Sequence, residues 1–282
     1  MPLLQERDGR TTPIRDGVAS RSLEGVVRAE VYLDPTVTGC TAPATGIHRA
    51  PDAASEQMDQ LLFGETFEVI EEEGAFVWGQ ARRDGYVGFV AASALKPLPP
   101  EPTHRISAIR TYAFAGPSIK TQAFGPYSMN ALVAVEAEEG RLAKVAGAGW
   151  MAAEHLAPIG TFESDLAAVA ERFLGAPYLW GGRESLGLDC SGLVQAALFA
   201  CGLACPRDTD QQAGLGREIG RKDLHRGDLV FWNGHVAIGL DAERVVHANG
   251  YHMAVAIEPL EAAITRIAAP GGGMPTTYRR IT

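Results

Sequence analysis

Two stretches of this chain repeat each other, and the repeat ends where a different pattern begins. Residues 88–95, GFVAASAL, align with residues 149–156, GWMAAEHL, and residues 67–74, FEVIEEEG, align with residues 133–140, VAVEAEEG. Each copy alternates apolar and polar residues in short runs bounded by glycine and charge, which is typical of small antiparallel strands. The repeat therefore predicts two small β-barrels in succession.

Two proline-rich breaks divide the chain, KPLPPEPTH at 96–104 and APIGTFESD at 157–165. After the second break, SDLAAVAERFLG and CSGLVQAALFACG carry apolar residues at helical spacing, with Ser164 as the expected N-cap of the first helix. GDLVFWNGHVAIGLDAERVVHANG then predicts three strands, the first two joined by an Asn-Gly turn. The predicted organisation is an N-terminal extension at 1–38, barrels at 39–98 and 104–160, and an α+β domain at 162–282.

Charge and cysteine content exclude several classes of protein. The formal net charge is −9 and lysine and arginine do not cluster, so no nucleic-acid partner is expected. Neither a secretory signal nor a run of about 18 apolar residues is present, so we expect a cytoplasmic chain with no membrane partner. Cys40, Cys190, Cys201 and Cys205 match neither a disulfide framework nor a zinc spacing, and no metal or cofactor is expected.

Cys190 is placed differently from the other three cysteines, because it comes just before the apolar face of the second predicted helix. In a first helical turn, free backbone N–H groups and the helix dipole favour a thiolate, so a lowered thiol pKa is predicted. His235 opens a strand after the tight turn, and His247 lies on the next strand. If those strands are antiparallel neighbours, the three side chains supply a nucleophile, a base and a group that orients the base.

The segments PYLWGGRESLGLDCSGLVQ, RGDLVFWNGHVAIGL and VVHANG resemble the signature blocks of the NlpC/P60 family of bacterial cell-wall cysteine peptidases. The two repeats resemble bacterial SH3 (SH3b) modules. The resemblance implies a multidomain chain, with two SH3-like β-barrels followed by an α+β papain-like domain whose helices pack on an antiparallel sheet. It also implies Cys190 as nucleophile, His235 as general base and acid, His247 as the orienting residue, and Tyr178 beside the nucleophile as an oxyanion donor.

Two SH3b modules ahead of such a domain resemble the γ-D-glutamyl-L-diamino-acid endopeptidases, also called dipeptidyl-peptidase VI. The resemblance implies hydrolysis between D-Glu and the diamino acid of murein peptides that have a free N-terminal L-Ala. Asp189 and Ser191 are then expected to bind substrate near the amine, and Arg207 its carboxylate. Glu65 and Tyr86 of the first barrel are expected to close the amine pocket. Asp189 has an alternative role as a helix N-cap.

Two other functions stay open at this point. The same cysteine and histidines suit an acyl or amide transferase, and SH3b modules suit a peptidoglycan-binding protein with an inactive catalytic domain. A cytoplasmic location favours recycling of imported wall fragments over remodelling of the wall itself. Trp180 and Trp232 are assigned to packing, and the sequence leaves the oligomeric state open.

Overall fold

A computed structural model describes residues 7–98, 100–269 and 271–281. The chain begins with a small sheet of three strands, β1 (Ile14–Arg15), β2 (Val18–Ser20) and β3 (Val31–Leu33). Val18 and Leu33 pack against buried side chains of the first barrel, including Trp78 and Phe89. The N-terminal extension is therefore attached to that barrel through an apolar contact.

The first barrel is one antiparallel sheet with the strand order β10-β4-β7-β8-β9-β5-β6. Its strands are β4 (Thr36–Cys40), β5 (Ala44–His48), β6 (Gln57–Leu62), β7 (Thr66–Glu73), β8 (Phe76–Ala81), β9 (Val87–Ala91) and β10 (Leu95–Pro97). A single 3₁₀ turn, Ala92–Ala94, joins the last two strands. Alternate residues of these strands, among them Ile47, Leu61 and Phe67, fill the interior.

The second barrel repeats this plan in two sheets, β14-β11-β18 and β13-β12-β17-β16-β15. Its strands are β11 (His104–Ile106), β12 (Arg110–Phe114), β13 (Ala123–Ser128), β14 (Leu132–Val133), β15 (Val135–Glu139), β16 (Leu142–Val145), β17 (Gly149–Ala152) and β18 (Leu156–Pro158). The 3₁₀ turn Ala153–His155 joins its last two strands. The aligned segments 88–95 and 149–156 thus adopt the same strand, 3₁₀ turn and strand.

The third part of the chain packs helices on a six-stranded antiparallel sheet of order β21-β26-β22-β23-β24-β25. Its helices are α1 (Leu166–Glu171), α2 (Cys190–Ala200), α3 (Thr209–Gln212) and α4 (Leu260–Ala268). Its strands are the β19 (Arg183–Glu184) and β20 (Gly187–Leu188) pair, then β21 (Arg217–Glu218), β22 (Leu229–Trp232), β23 (His235–Gly239), β24 (Arg244–Asn249), β25 (Ala254–Pro259) and β26 (Thr277–Arg280). Among residues 7–98, 100–269 and 271–281, no helix is long and apolar enough to span a bilayer.

Helix α1 begins one residue later than predicted. Its N-cap is Asp165 rather than Ser164, and the Asp165 carboxylate accepts a hydrogen bond from the N–H of Ala168 at 3.0 Å. An aspartate directly before the first helical residue provides the acceptor that the free N–H groups need. Ser164 is therefore left outside the helix.

Helix α2 is buried along its whole length, whereas the sequence predicted a single apolar face. One side packs on the central sheet, where Leu193 and Val194 meet Val246. The other side faces the second barrel, where Asn130 donates from Nδ2 to the carbonyl of Ala196 at 2.8 Å. A helix that is apolar all round requires cover on both sides, and here the barrel supplies the second cover.

Charged side chains join the first barrel to the third part of the chain. Arg183 forms ion pairs with Glu65 and with Asp59, at 3.2 Å from Asp59 Oδ1. Each of these three side chains is at most 1% exposed. Arg183 also donates from Nε to the carbonyl of Gln60 at 2.6 Å. The barrel is therefore fixed by buried charges whose partners lie on the other side of the junction.

We expect Arg183→Met to lower the free energy of unfolding by about 3–5 kcal/mol, because it leaves Glu65 and Asp59 buried without this cation. Arg82→Met is the matched control. Arg82 pairs with Glu68 at 2.7 Å but is 55% exposed, so its loss should cost less than about 1 kcal/mol. Urea unfolding followed by fluorescence measures both variants, and equal losses would contradict a buried junction.

Candidate active site

A cleft of about 260 Å³ lies where the first barrel meets the third part of the chain. The barrel contributes Met58 and Tyr86, and the other wall contributes Asp189, Cys190 and Ser191. This volume is below the range of about 300–1,000 Å³ that is usual for drug-sized ligands. The predicted nucleophile therefore lines a small cleft shared by two parts of the molecule.

Cys190 is the first residue of α2, as the sequence predicted. Asp189 is the N-cap, and its carboxylate accepts from the N–H of Gly192 at 2.7 Å. A Cβ at position 192 would lie 2.0 Å from the carbonyl oxygen of Gly182. Only glycine allows the helix start to pack so closely on that loop, and this packing fixes the position of the thiol.

The prediction of a lowered thiol pKa at Cys190 is wrong. Burial raises its pKa to about 12, and the carboxylate of Asp189 adds to the rise. The N–H groups of Val236 and Ser191 and the charge of Arg207 act in the opposite direction without offsetting burial. The free N–H groups at the helix start stabilise a thiolate, but loss of water around the sulfur has the larger effect.

The structure brings His235 and His247 together. His235 Nε2 lies 2.8 Å from His247 Nδ1, and His247 Nε2 lies 2.7 Å from Glu258 Oε1. The strands β23 and β24 are antiparallel neighbours, as the sequence analysis assumed. Arg266 pairs with Glu258 at the end of this chain of contacts.

With both rings taken in the neutral form, these contacts assign the ring protons. A carboxylate only accepts, so His247 donates through Nε2 and its Nδ1 is the acceptor. His235 must then donate through Nε2, which leaves the lone pair of His235 on Nδ1. Burial raises the pKa of Glu258, but hydrogen bonds from His247 and Arg266 bring it down to about 2. Glu258 is therefore a fixed negative charge that His247 links to His235.

Burial lowers the pKa of His235 to about 3, and the neighbouring His247 and Arg266 lower it further than the Glu258 carboxylate raises it. At neutral pH this ring is uncharged, and the Cys190 thiol keeps its proton. At neutral pH, Cys190 is therefore a neutral thiol and His235 a neutral imidazole.

Tyr178 is half-buried and packs against the core that contains Cys190. Burial raises its pKa to about 12, and the neighbouring Cys190 and Asp189 contribute to the rise. The hydroxyl of Tyr178 thus stays protonated at neutral pH and is able to donate a hydrogen bond.

The carboxylate of Asp189 has no capacity left for a substrate amine. Oδ1 accepts from Gly192 N, Ser191 Oγ and Arg207 Nη1, and Oδ2 accepts from Gly181 N and Arg207 Nη2. A carboxylate has about four acceptor sites. Asp189 therefore serves as helix cap and partner of Arg207, which is the alternative that the sequence analysis kept open.

Arg207 does not reach the cleft, so the expectation that it binds a substrate carboxylate is not met. Its side chain is 1% exposed and pairs with Asp189 at 2.6 Å and with Asp59 at 2.9 Å. It also donates to Ser191 Oγ at 2.7 Å, while that hydroxyl donates to Asp189. From its buried position, Arg207 thus holds Asp189 and Ser191, which both line the cleft. The hydroxyl proton of Ser191 is already donated to Asp189, so this hydroxyl does not donate to a ligand in the cleft.

Glu65 also lies away from the cleft, which corrects its expected place in the amine pocket. It is 1% exposed, pairs with Arg83 at 2.6 Å and accepts from the N–H of Leu62 at 2.9 Å. Burial raises the pKa of Glu65, but Arg183 and Arg83 outweigh it, so the group is ionised. Tyr86 does line the cleft, and its hydroxyl donates to Asp208 Oδ2 at 3.2 Å.

Among the cleft residues that the sequence analysis missed are Asp208, Glu56 and Arg10. Asp208 follows Arg207 in extended backbone, with φ −98° and ψ 150°. Neighbours in extended backbone point to opposite sides, so the arginine goes inward while the aspartate faces the cleft. That alternation was the available signal. Glu56 directly precedes β6, and the sequence does not show where that strand lies in the barrel. Its place in the cleft was therefore not predictable.

Trp180 was expected to pack in the core, but it is 60% exposed and lines the cleft. Its indole N–H donates to Glu56 Oε1 at 3.1 Å, and Arg49 holds the other oxygen of Glu56 at 2.8 Å. Trp232 is 3% exposed, as expected of a packing residue. Within residues 7–98, 100–269 and 271–281, no cluster of His, Cys, Asp or Glu suits a metal ion.

Two sequence profiles match the chain. The NlpC/P60 family profile matches residues 175–267, and the profile of the bacterial dipeptidyl-peptidase Sh3 domain matches residues 47–95. Both agree with the family resemblance and the fold class predicted from the sequence, which they confirm.

Known proteins of similar sequence and fold agree with these profiles. A gamma-D-glutamyl-L-lysine dipeptidyl-peptidase of Bacillus subtilis is 31% identical over 61% of this chain and 63% of its own length, so the match spans less than two thirds of that relative. Dipeptidyl-peptidase 6 of Lysinibacillus sphaericus is 26% identical over 74% of this chain and 86% of its own. A solved NlpC/P60 family protein from Bacillus cereus has a TM-score of 0.74 at 20% identity, covering 86% of this chain and 99% of that one.

The raised pKa of Cys190 predicts how its reaction with iodoacetamide depends on pH. Since the thiolate reacts, the rate should climb from pH 6 to pH 10 with no plateau. The same peptide in urea-unfolded protein is the control, and its rate should level off above about pH 8.5, the ordinary thiol pKa. Mass spectrometry of the Cys190 peptide measures both. A plateau beginning below pH 7 would instead indicate a thiolate–imidazolium pair.

Proposed function

This chain carries an NlpC/P60 domain behind a bacterial dipeptidyl-peptidase SH3 domain, and from that premise we propose that it is a cysteine peptidase. Its proposed substrates are cell-wall peptides with a free N-terminal L-Ala, cleaved between γ-D-Glu and an L-diamino acid. One observation carries the proposal: Cys190 begins α2 in a small cleft, while His235, His247 and Glu258 form a hydrogen-bonded chain in the same domain.

The first chemical step is attack by Cys190 Sγ on the γ-carbonyl carbon of D-Glu. Because thiol and imidazole are both neutral beforehand, the thiol proton moves to His235 Nδ1 as the C–S bond forms. The negative charge passes to the carbonyl oxygen, where the hydroxyl of Tyr178 and the N–H of Cys190 are the proposed donors.

The second step breaks the C–N bond and leaves a thioester on Cys190. His235 returns its proton to the departing amine of the diamino acid. Water then attacks the thioester, gives one proton to His235 and releases L-Ala-D-Glu, and that proton restores the thiol. The imidazolium that forms twice in this cycle is stabilised through His247 by the charge of Glu258.

Asp208 and Glu56 are the proposed partners of the substrate amine. Both carboxylates line the cleft, and Tyr86 holds Asp208 from the barrel side. These two residues take the place that the sequence analysis gave to Asp189 and Glu65. The similarity to a gamma-D-glutamyl-L-lysine dipeptidyl-peptidase of Bacillus subtilis supports a γ-D-glutamyl substrate. The role in recycling and the cytoplasmic location stay predictions.

The amine pocket predicts a preference for a free N-terminus. The kcat/KM for L-Ala-γ-D-Glu-L-Lys should exceed that for its N-acetyl form by about 10- to 100-fold, since a hydrogen bond to a charged group contributes about 1.5–3 kcal/mol. Asp208→Asn should lower the rate on the free peptide and leave the acetylated one unchanged. Asp34→Asn, whose carboxylate is 76% exposed and pairs with Arg21, is the control. Equal rates on both peptides with the parent would refute the pocket.

The charge of Glu258 is expected to affect kcat, although this carboxylate contacts His247 and is not proposed to contact the substrate. Glu258→Gln should lower kcat by about 10- to 100-fold, with KM close to the parent value, because partners of this kind orient and charge-stabilise a functional histidine. Glu261→Gln is the matched control, since Glu261 is exposed and pairs with Arg221 on the surface. Steady-state kinetics on L-Ala-γ-D-Glu-L-Lys separates the two parameters. A change in KM alone would contradict this role.

A further inference from the structure

The N-terminal arm, residues 8–20, is fastened to the first barrel by backbone and side-chain contacts. The N–H of Val87 donates to the carbonyl of Arg10 at 2.8 Å, and Gln80 Nε2 donates to the carbonyl of Thr11 at 2.9 Å. Arg15 lies over the ring of Phe89, 4.8 Å from its centroid, and pairs with Glu73 at 2.9 Å. These contacts fix the backbone of Arg10 on the barrel.

The side chain of Arg10 leaves the barrel and reaches the NlpC/P60 domain. It holds Asp210 with two parallel hydrogen bonds, Nη1 to Oδ1 at 2.8 Å and Nη2 to Oδ2 at 2.7 Å. Nη1 also donates to Asp208 Oδ2 at 2.9 Å. Asp8 orients the guanidinium from the arm itself, accepting from Nε at 2.9 Å, and Gln211 donates to Asp8 at 2.8 Å. Arg10 thus bridges barrel and catalytic domain at the edge of the cleft.

Arg10 lines the same cleft as Cys190, next to the proposed amine site, because Arg10 and Tyr86 contact the same oxygen of Asp208. Its Nε and both Nη nitrogens already donate to carboxylates, so it is not positioned to bind a substrate anion. Three carboxylates, Asp8, Asp208 and Asp210, surround one guanidinium, and the region keeps a net negative charge. The net negative charge still attracts the ammonium group of a substrate to Asp208. The planar guanidinium of Arg10 occupies the space next to that ammonium site.

We propose that Arg10 is a specificity-determining residue that closes the cleft beyond the substrate amine, so that the site accepts a chain end and rejects longer peptides. This inference rests on the proposed function, whose amine site it borders. A forked arginine with several carboxylates is held more firmly than a single exposed ion pair. The arm therefore adds a wall to the cleft that neither the barrel nor the catalytic domain supplies.

The test compares two free-amine substrates of different length, L-Ala-γ-D-Glu-L-Lys and Gly-L-Ala-γ-D-Glu-L-Lys. Arg10→Ala should reduce the parent's preference for the shorter peptide by about tenfold, mainly through faster cleavage of the longer one, as expected when a steric barrier is removed. The ratio of kcat/KM within one preparation is independent of the folded fraction. Arg21→Ala, an exposed arginine of the same N-terminal extension that pairs with Asp34, should keep the parent ratio.

Binding to Cys190→Ala protein by calorimetry provides a second measurement that does not require turnover. Arg10→Ala in that background should bind the longer peptide about tenfold more tightly than the Cys190→Ala protein does. An unchanged length preference in both measurements, with the free-amine preference intact, overturns the role of Arg10 alone. If the parent cleaves neither peptide and binds neither, the proposed function and this inference both fall.

Discussion

The buried charges between the first barrel and the NlpC/P60 domain are the constraint on which the cleft depends. Asp59 of the barrel lies between Arg183 and Arg207, and Arg207 in turn holds Asp189, the N-cap of the helix that carries Cys190. Because buried charges need partners, these pairs stabilise this position of the barrel on the domain. That position makes the barrel one wall of the cleft.

The same burial governs the chemistry. Burial of each side chain raises the thiol pKa of Cys190 and lowers the pKa of His235, so both groups are neutral at pH 7. The Glu258 carboxylate carries a fixed charge, and His247 connects it to His235. In the proposed reaction, positive charge develops on His235, and this fixed carboxylate stabilises it.

Some residues of the candidate site were predictable from the sequence and others were not. Cys190 and the two histidines stood out because helix starts and hairpin strands have local signatures. Extended backbone places the neighbours Arg207 and Asp208 on opposite sides, but the alternation does not indicate which of them turns inward to Asp59 and which faces the cleft. Glu65 and Glu56 lie in the same barrel, yet only burial against Arg183 separates the structural carboxylate from the one in the cleft.

The sequence by itself determined the two barrels, the α+β domain behind them and the position of Cys190 at the start of a helix, since periodicity, turn residues and caps act over a few residues. Only the tertiary structure decided which charges line the cleft, that burial outweighs the helix start at the thiol, and that Arg10 meets Asp208 and Asp210. Those outcomes depend on contacts between residues up to 200 positions apart, and the free energy of removing a charge from water is set by all of its neighbours together.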